Sequence, residues 1–323
     1  MAVNANTNET YDVSTIREDL QDALISISPT DTPFMTAAGR RNIDNTFFEW
    51  GVVSLADTDT SNRVAEGEAS PGNDAPTNAV RQGNYAQISD KVVEVSDTSN
   101  AVNGAGDAQT LAKQIAYKLK EMKRDMESML LDNVPASAGS SGTARQTAGL
   151  PAWLKTNVDR GVGGADGTTS GAGDAGYPDA AATDGTQRAL TEALLKSVIA
   201  SCWEEGAEPS IVLVGPTAKQ KISTFDGNAT RFKEAEDSKI NAAIDVYISD
   251  FGELQIVPTR FQRNRDVFVL DPSYARVGYL KNTTQTELAR TGHSERRLIS
   301  AEYGLQVDNE AAHGIIADID ASL

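Results

Sequence analysis

The chain has 323 residues, and its 29 basic and 46 acidic side chains give a formal net charge of −17. This length fits one large domain or two modest ones. The acidic balance argues against binding to nucleic acid or to an anionic membrane, because counterion release requires clustered lysine and arginine. Residues 1–90 contain five arginines and no lysine against fourteen acids, and the first lysine is Lys91. Solubility alone would explain this excess of acid.

The single cysteine, Cys202, excludes an intrachain disulfide framework and a paired-cysteine metal site. It stands beside Trp203 in an apolar helical pattern, which favours a packed core thiol over a nucleophile. The N-terminus is polar and lacks the hydrophobic region of a signal peptide. No apolar run approaches the ~18 residues that would indicate a membrane-spanning helix.

The first patterned element is a short amphipathic segment within residues 11–28. Pro29 and Pro33 end it and predict an extended segment as far as Phe34. An apolar stripe without an adjacent core needs another surface to lie on. The stripe recurs at helical spacing through Ile16, Leu20, Leu24 and Ile27.

Two strands are predicted on either side of a long polar stretch. Residues 46–55 and 85–96 favour strands by their β-branched and aromatic content, whereas residues 56–81 hold almost no hydrophobic side chain. Two strands joined by such a stretch predict a long protruding hairpin. A structureless loop of this length is unusual in a compact domain and indicates a role in contact with another molecule.

The strongest helical pattern covers residues 107–133, with Asp107 as the N-cap and Pro135 beyond its end. Taken as about 25 residues, this helix would be ~37 Å long. A packed core stripe explains its apolar positions better than a promiscuous, methionine-rich binding face. Those positions are Leu111, Ile115, Leu119, Met122, Met126, Met129 and Leu130.

Residues 134–189 contain eleven glycines and twelve alanines, a composition typical of a flexible linker or loop. One apolar island, residues 150–154, interrupts them and predicts an anchor to a surface. Regular patterns resume at Leu190, and their mixture of helices and strands predicts an α+β protein. They are a helix ending at Gly206, a helix from Pro216, and strands at 211–214, 244–249, 253–258, 267–270, 276–280, 298–307 and 315–319.

The motifs that could carry catalysis are weak. Asp250-Phe251-Gly252 matches a kinase tripeptide, but no phosphate-binding loop accompanies it, so a hairpin turn is favoured. His293 in a turn, His313 before a strand and the single cysteine cannot form a standard zinc site without several carboxylates. A triad using His293 is disfavoured against a surface turn. Asp57 and Asp59 lack the remaining ligand positions of a calcium loop.

Taken in chain order, these elements resemble the major capsid proteins of tailed bacteriophages, which have the Hong Kong 97-type fold. Similar stretches occur in the same order over nearly the whole chain, which is more specific than any single motif. They are Arg17-Glu18-Asp19-Leu20, residues 27–34 (ISPTDTPF), Phe48-Glu49-Trp50, Ala65-Glu66-Gly67, residues 118–127 (KLKEMKRDME), 149–154 (GLPAWL), 246–252 (VYISDFG) and 289–292 (ARTG).

The resemblance implies a domain for each part of the chain. Residues 1–45 would be an N-terminal arm, and 46–96 an extended loop lying across a neighbouring subunit. Residues 97–133 would hold the spine helix of a peripheral domain. An axial domain would occupy 134–280 with its glycine- and alanine-rich loop, and 281–323 would return to the peripheral domain.

The resemblance also implies partners rather than an active site. We expect hexamers and pentamers of an icosahedral shell around double-stranded DNA, made in the bacterial cytoplasm, with no catalytic residue, cofactor or metal. A separate scaffolding protein, a portal protein and a cement protein are expected partners, and no membrane is. The candidate intersubunit contacts are Ile16, Leu20, Leu24, Phe34, Arg63, Glu66, Glu68 and Trp153.

Some members of the family cross-link covalently through a lysine in the extended loop. This chain has no lysine before Lys91, so we expect a shell held by non-covalent contacts. Three rival interpretations remain open. They are an encapsulin-like compartment shell, another virion subunit such as a decoration or tail-tube protein, and a hydrolase after Leu190.

Overall fold

The structure is a computed structural model, and it describes residues 30–56, 58–67, 69, 76–102, 110–171, 175–225 and 246–320. The amphipathic segment predicted over residues 11–28 lies outside them. The helices are α1 Pro33–Ala37, α2 Asp97–Ala101, α3 Thr110–Leu130, α4 Leu150–Trp153, α5 Glu192–Glu204 and α6 Pro216–Ile222. The strands are β1 Gly39–Asn42, β2 Phe47–Val52, β3 Val80–Tyr85, β4 Gln87–Ser96, β5 Asn157–Asp159, β6 Thr168–Thr169, β7 Pro178–Ala180, β8 Arg188–Ala189, β9 Ile211–Val214, β10 Val246–Ser249, β11 Gly252–Pro258, β12 Val267–Leu270, β13 Ala275–Glu287, β14 Ser294–Val307, β15 Gly314–Ile316 and β16 Ile319–Asp320.

The long helix α3 packs on a four-stranded sheet of order β1-β13-β14-β4. Met122 and Met126 are each 1% exposed and share one core with Val93, Val95 and Ile299 of the sheet. The core interpretation of the methionine stripe is therefore confirmed. With 21 described residues, α3 is ~31 Å long.

A six-stranded sheet of order β10-β11-β9-β12-β15-β5 forms the second layered unit, with α5 and α6 packed on it. Local signals place both helices. The Thr191 side chain accepts from the Leu194 N–H at the start of α5, and Gly206 after its end has a φ of +89°. Pro216 occupies the first turn of α6, as predicted.

The predicted hairpin exists, but its second strand was wrongly assigned. β2 pairs antiparallel with β3, Phe47 opposite Tyr85 and Val52 opposite Val80. The chain then turns at the buried Ala86, and β4 pairs with β14 in the four-stranded sheet.

β3 escaped the hydrophobic pattern because two of its buried residues, Gln82 and Asn84, are polar. The Asn84 side chain donates to the Leu305 carbonyl over 2.7 Å and accepts from the Ala148 N–H over 3.0 Å. A buried amide that is fully paired costs little, yet it carries no apolar signal in the sequence.

The glycine- and alanine-rich segment forms short ladders where a flexible loop was predicted. β6 pairs with β7, β8 with β16, and β5 joins the six-stranded sheet. Glycine is needed because the backbones approach closely: a Cβ on Gly149 would lie 1.9 Å from the Asp132 carbonyl oxygen. The predicted anchor is confirmed, since Leu150 and Leu154 are 0% exposed.

Candidate assembly surfaces

The β2–β3 hairpin is held at its base by aromatic packing. Phe47 stacks near Tyr85 with ring centroids 4.7 Å apart, and Trp50 lies 5.4 Å from Trp153. Across the two strands, the exposed Arg81 and Glu49 form an ion pair of 2.6 Å. The base of the hairpin is therefore fixed to the body of its own chain.

The loop beyond Val52 has no such support. Every described residue between 53 and 79 is exposed, including Val53 at 57%, Leu55 at 84% and Val64 at 58%. Exposed apolar side chains on a long projecting loop are typical of a segment that contacts another molecule.

The base of the N-terminal arm is fastened to α3 by a buried acid. The Phe34 and Met35 N–H groups donate to the two carboxylate oxygens of Glu127 over 2.7 and 2.9 Å. Thr32 makes no side-chain cap, so Glu127 acts as the cap of α1. Burial raises the pKa of Glu127 to about 7, although these two hydrogen bonds oppose the shift.

The predicted contact residues separate into three groups. Arg63 and Glu66 are exposed on the loop, as an intersubunit contact requires. Phe34 and Trp153 are only 1% and 2% exposed, because their side chains are enclosed by the core of their own chain. We therefore do not propose Phe34 and Trp153 as intersubunit contacts. Outside the described residues lie Ile16, Leu20, Leu24 and Glu68.

Sequence reasoning missed an exposed apolar surface at one end of the six-stranded sheet. Trp203 on α5 and Phe251 in the β10–β11 turn are 51% and 42% exposed, with rings 5.1 Å apart. Ile248 on β10 is 73% exposed. The apolar pattern of α5 suggested that Trp203 would be buried, so only its position at the last turn of the helix could have signalled otherwise.

A network of ion pairs fixes the glycine-rich segment to the C-terminal part of the chain. Asp184 pairs with Arg263 over 2.5 Å, and Arg265 pairs with Asp318 over 2.5 Å. Asp318 also accepts from the Gly161 N–H over 3.1 Å. Because Asp318 is 0% exposed, its carboxylate is shielded from solvent, and its two bonds help to hold the segment in one position.

The side chains considered for catalysis do not have the pKa values or the surroundings of reactive groups. Burial raises the pKa of the Cys202 thiol to about 12, which confirms the packed-thiol interpretation. Burial lowers the pKa of His313 to about 4, and the side chain of His293 is fully exposed. Asp250-Phe251-Gly252 is the β10–β11 turn, as predicted. The described ranges hold no group of three or more His, Cys, Asp or Glu residues able to bind a metal ion.

In the portion of the chain that the structure covers, no helix is long and apolar enough to cross a membrane.

Comparison with known proteins gives a consistent result. The family model described as SU10 major capsid protein matches residues 4–320. A major capsid protein of Escherichia phage Phieco32 is 28% identical over 327 residues, covering 90% of this chain and 90% of the relative.

Solved structures with a similar fold include a phage capsid and an encapsulin. The capsid of cyanophage A-1(L) superposes with a TM-score of 0.62 at 13% identity, over 96% of this chain and 98% of the other. The holo-SrpI encapsulin of Synechococcus elongatus PCC 7942 gives 0.57 at 13% identity, over 93% of each chain. The fold alone cannot separate phage capsids from encapsulins. The family model separates them, and the Hong Kong 97-type α+β fold implied by the sequence is confirmed. The chain therefore belongs to the SU10 major capsid protein family.

Proposed function

We propose that copies of this chain assemble into hexamers and pentamers of an icosahedral shell, which encloses the double-stranded DNA of a tailed phage. The observation that carries the proposal is the extended loop, whose described apolar side chains Val53, Leu55 and Val64 are exposed. Ordering such a loop costs conformational entropy, which contacts with a neighbour can offset. In a closed shell, many copies of a weak contact add to a stable particle.

The domain assignment belongs to this proposal. The arm would occupy residues 1–45, the peripheral domain 97–133 and 281–323, and the axial domain 134–280. The pairing of β4 with β14 supports ending the loop near Ala86 rather than at residue 96. Because β13 begins at Ala275, it supports placing the start of the C-terminal part of the peripheral domain near residue 275.

The contact residues are proposed on the same basis. Arg63 and Glu66 would meet a neighbour together with Leu55 and Val64, since all four are exposed on the loop. The arm residues Ile16, Leu20 and Leu24 and the loop residue Glu68 remain candidates from the sequence pattern.

We further propose a separate scaffolding protein as a partner of this subunit, as the resemblance to tailed-phage major capsid proteins implies. A portal protein and a cement protein would complete the particle. The subunit would have no catalytic role, and the particle would form in the bacterial cytoplasm.

Electron microscopy of the purified protein tests assembly. The proposal predicts closed shells, tubes or rings, together with nucleic acid in particles isolated from infected cells. Monodisperse monomers at high concentration would contradict it. Shells filled with protein cargo would instead favour an encapsulin-like compartment.

A further inference from the structure

The β2–β3 hairpin is joined at its root by a piece of the glycine- and alanine-rich segment. Residues 175–177, which we call the strap, run alongside the edge of β3 that faces away from β2. The Gly83 N–H donates to the Gly176 carbonyl over 2.8 Å, and the Gly176 N–H donates to the Arg81 carbonyl over 2.9 Å. Two backbone hydrogen bonds therefore connect the root of the extended loop to a part of the chain that is distant in sequence.

Aromatic side chains reinforce the same contact. The Tyr177 ring lies 5.2 Å from the ring of Tyr85 and 5.9 Å from the ring of Phe47, both in edge-to-face arrangements. Phe47 and Tyr85 are opposite each other where the hairpin leaves the body of the subunit. The strap therefore contacts both strands of the hairpin through Tyr177 and holds β3 by its backbone as well.

The strap is held on its other side by the body of the subunit. It precedes β7, and the Ser170 N–H donates to the Tyr177 carbonyl over 2.9 Å while the Tyr177 N–H donates to the Ser170 hydroxyl over 3.1 Å. The next carbonyl, that of Pro178, accepts from the Ala136 N–H over 2.8 Å. β7 also contacts α4, whose residues are all buried. The contacts thus run without interruption from the core to the root of the loop.

The bend of the strap requires glycine at its centre. Gly176 has a φ of +87°, a conformation that side chains other than glycine rarely adopt. A Cβ at this position would also collide with the Ser170 hydroxyl oxygen. Gly176 therefore allows the strap to follow β3 and return to Ser170 within a few residues.

The direction of the loop beyond the root depends on the root alone. Every described residue between 53 and 79 is exposed, so the loop makes no supporting contact with the core of its own subunit. About thirteen extended residues separate Val52 from the middle of the loop, a reach of up to ~43 Å. At such a reach, a small rotation at the root displaces the tip by several ångströms.

We propose that the strap sets the direction in which the extended loop leaves its own subunit, and that it thereby prepares the loop for assembly. This inference rests on the proposed shell function and names the part of the chain that orients the loop. A loop that is held in one direction loses less conformational freedom on contact with a neighbour, which lowers the protein concentration needed for assembly. A fixed direction also favours particles of one size, because the angle between neighbouring subunits decides how the assembly closes.

Two substitutions weaken the strap by different means. Gly176→Ala introduces a methyl group against Ser170 at a positive φ, and Tyr177→Ala removes the ring that contacts Phe47 and Tyr85. In unassembled subunits, we expect the Gly83 amide to exchange its hydrogen at least about tenfold faster in both variants, since this N–H then meets water. Half-maximal assembly, measured by light scattering, should need about threefold more protein or more, and the particles should vary in diameter on electron micrographs.

Gly163→Ala is the matched control. Gly163 lies in the same glycine-rich segment with a φ of +82°, but nothing lies within 4 Å of its added Cβ. This variant has the same backbone strain, yet it should keep the wild-type exchange rate at Gly83 and form wild-type shells. Tyr177→Phe retains the ring and should also assemble normally. Circular dichroism checks folding, and Tyr177→Ala carries the test alone if Gly176→Ala does not fold, because it adds no atom to the segment.

Two results would overturn the inference while leaving the shell function intact. One is wild-type exchange at Gly83 in the strap variants. The other is fast exchange at Gly83 together with an unchanged assembly threshold and particle diameter. Absence of assembly by the wild-type chain would contradict the shell function itself, and the inference with it.

Discussion

Glu127 lies among the buried residues of α3, and its carboxylate meets two backbone N–H groups instead of a cation. Burial raises its pKa to about 7 from 4.5, so between these values the folded chain holds a proton that the unfolded chain releases. This group therefore favours folding at low pH, and its contribution is lost as the pH rises through 7.

Glu127→Gln should remove that pH dependence. Relative to the variant, the wild-type free energy of unfolding should fall by up to ~3 kcal/mol between pH 4.5 and 8. Urea unfolding of unassembled subunits at several pH values measures the difference. Burial also raises the pKa of Asp266 to about 6. Asp266 titrates in both proteins, so its contribution cancels in the difference between them. Parallel pH profiles would show that Glu127 does not titrate in this range.

Gly149→Ala should destabilise the subunit strongly. The new methyl group would lie 1.9 Å from the Asp132 carbonyl oxygen, so the backbone must move. We expect a loss of about 3 kcal/mol or more in the free energy of unfolding. Gly142→Ala is the control, since nothing lies within 4 Å of its added Cβ. Equal thermal stability of the two variants would refute the close-packing account of this segment.

At this scale, sequence patterns identified apolar burial and missed specific polar contacts. Met122, Met126 and Cys202 lie in the core as their helical spacing indicated. Asn84 and Glu127 are also buried, but each depends on partners more than sixty residues away along the chain. No local pattern encodes such partners. Phe34 and Trp153 were proposed as contacts because their own core could not be seen in the sequence.

At the scale of elements, helices with clear stop and start signals were placed well. α5 and α6 begin at a capping threonine and a first-turn proline, both of which are local features. Strand pairing is not local, and the partner of β2 was misassigned because β3 is polar. The composition of residues 134–189 wrongly predicted a flexible loop. Glycine occurs there because neighbouring backbones approach too closely for a side chain.

Shortening the extended loop should separate folding from assembly. Replacing residues 53–79 with a two-residue Asn-Gly turn retains β2 and β3, and every residue of this range that the structure describes is exposed. We expect the melting temperature of the subunit to change by only a few degrees, whereas shells should not form. A control with the loop residues scrambled keeps length and charge. Normal shells from the shortened variant would contradict the role assigned to the loop.

At the scale of the whole molecule, the distribution of lysine bears on how the shell is held. No lysine precedes Lys91, so the loop between 53 and 79 offers no amine for covalent cross-linking. Boiling shells in detergent should therefore give one band near 34.3 kDa on a denaturing gel. A ladder of covalent multimers would contradict this expectation.

The central claim is that each subunit is completed by its neighbours through the extended loop. Cryo-electron microscopy of reconstituted shells tests it most directly, at a resolution that traces the chain from Phe47 to Tyr85. The loop should cross to the adjacent subunit and lie against it. A loop folded back on its own subunit, with no contact to a neighbour, would contradict the account.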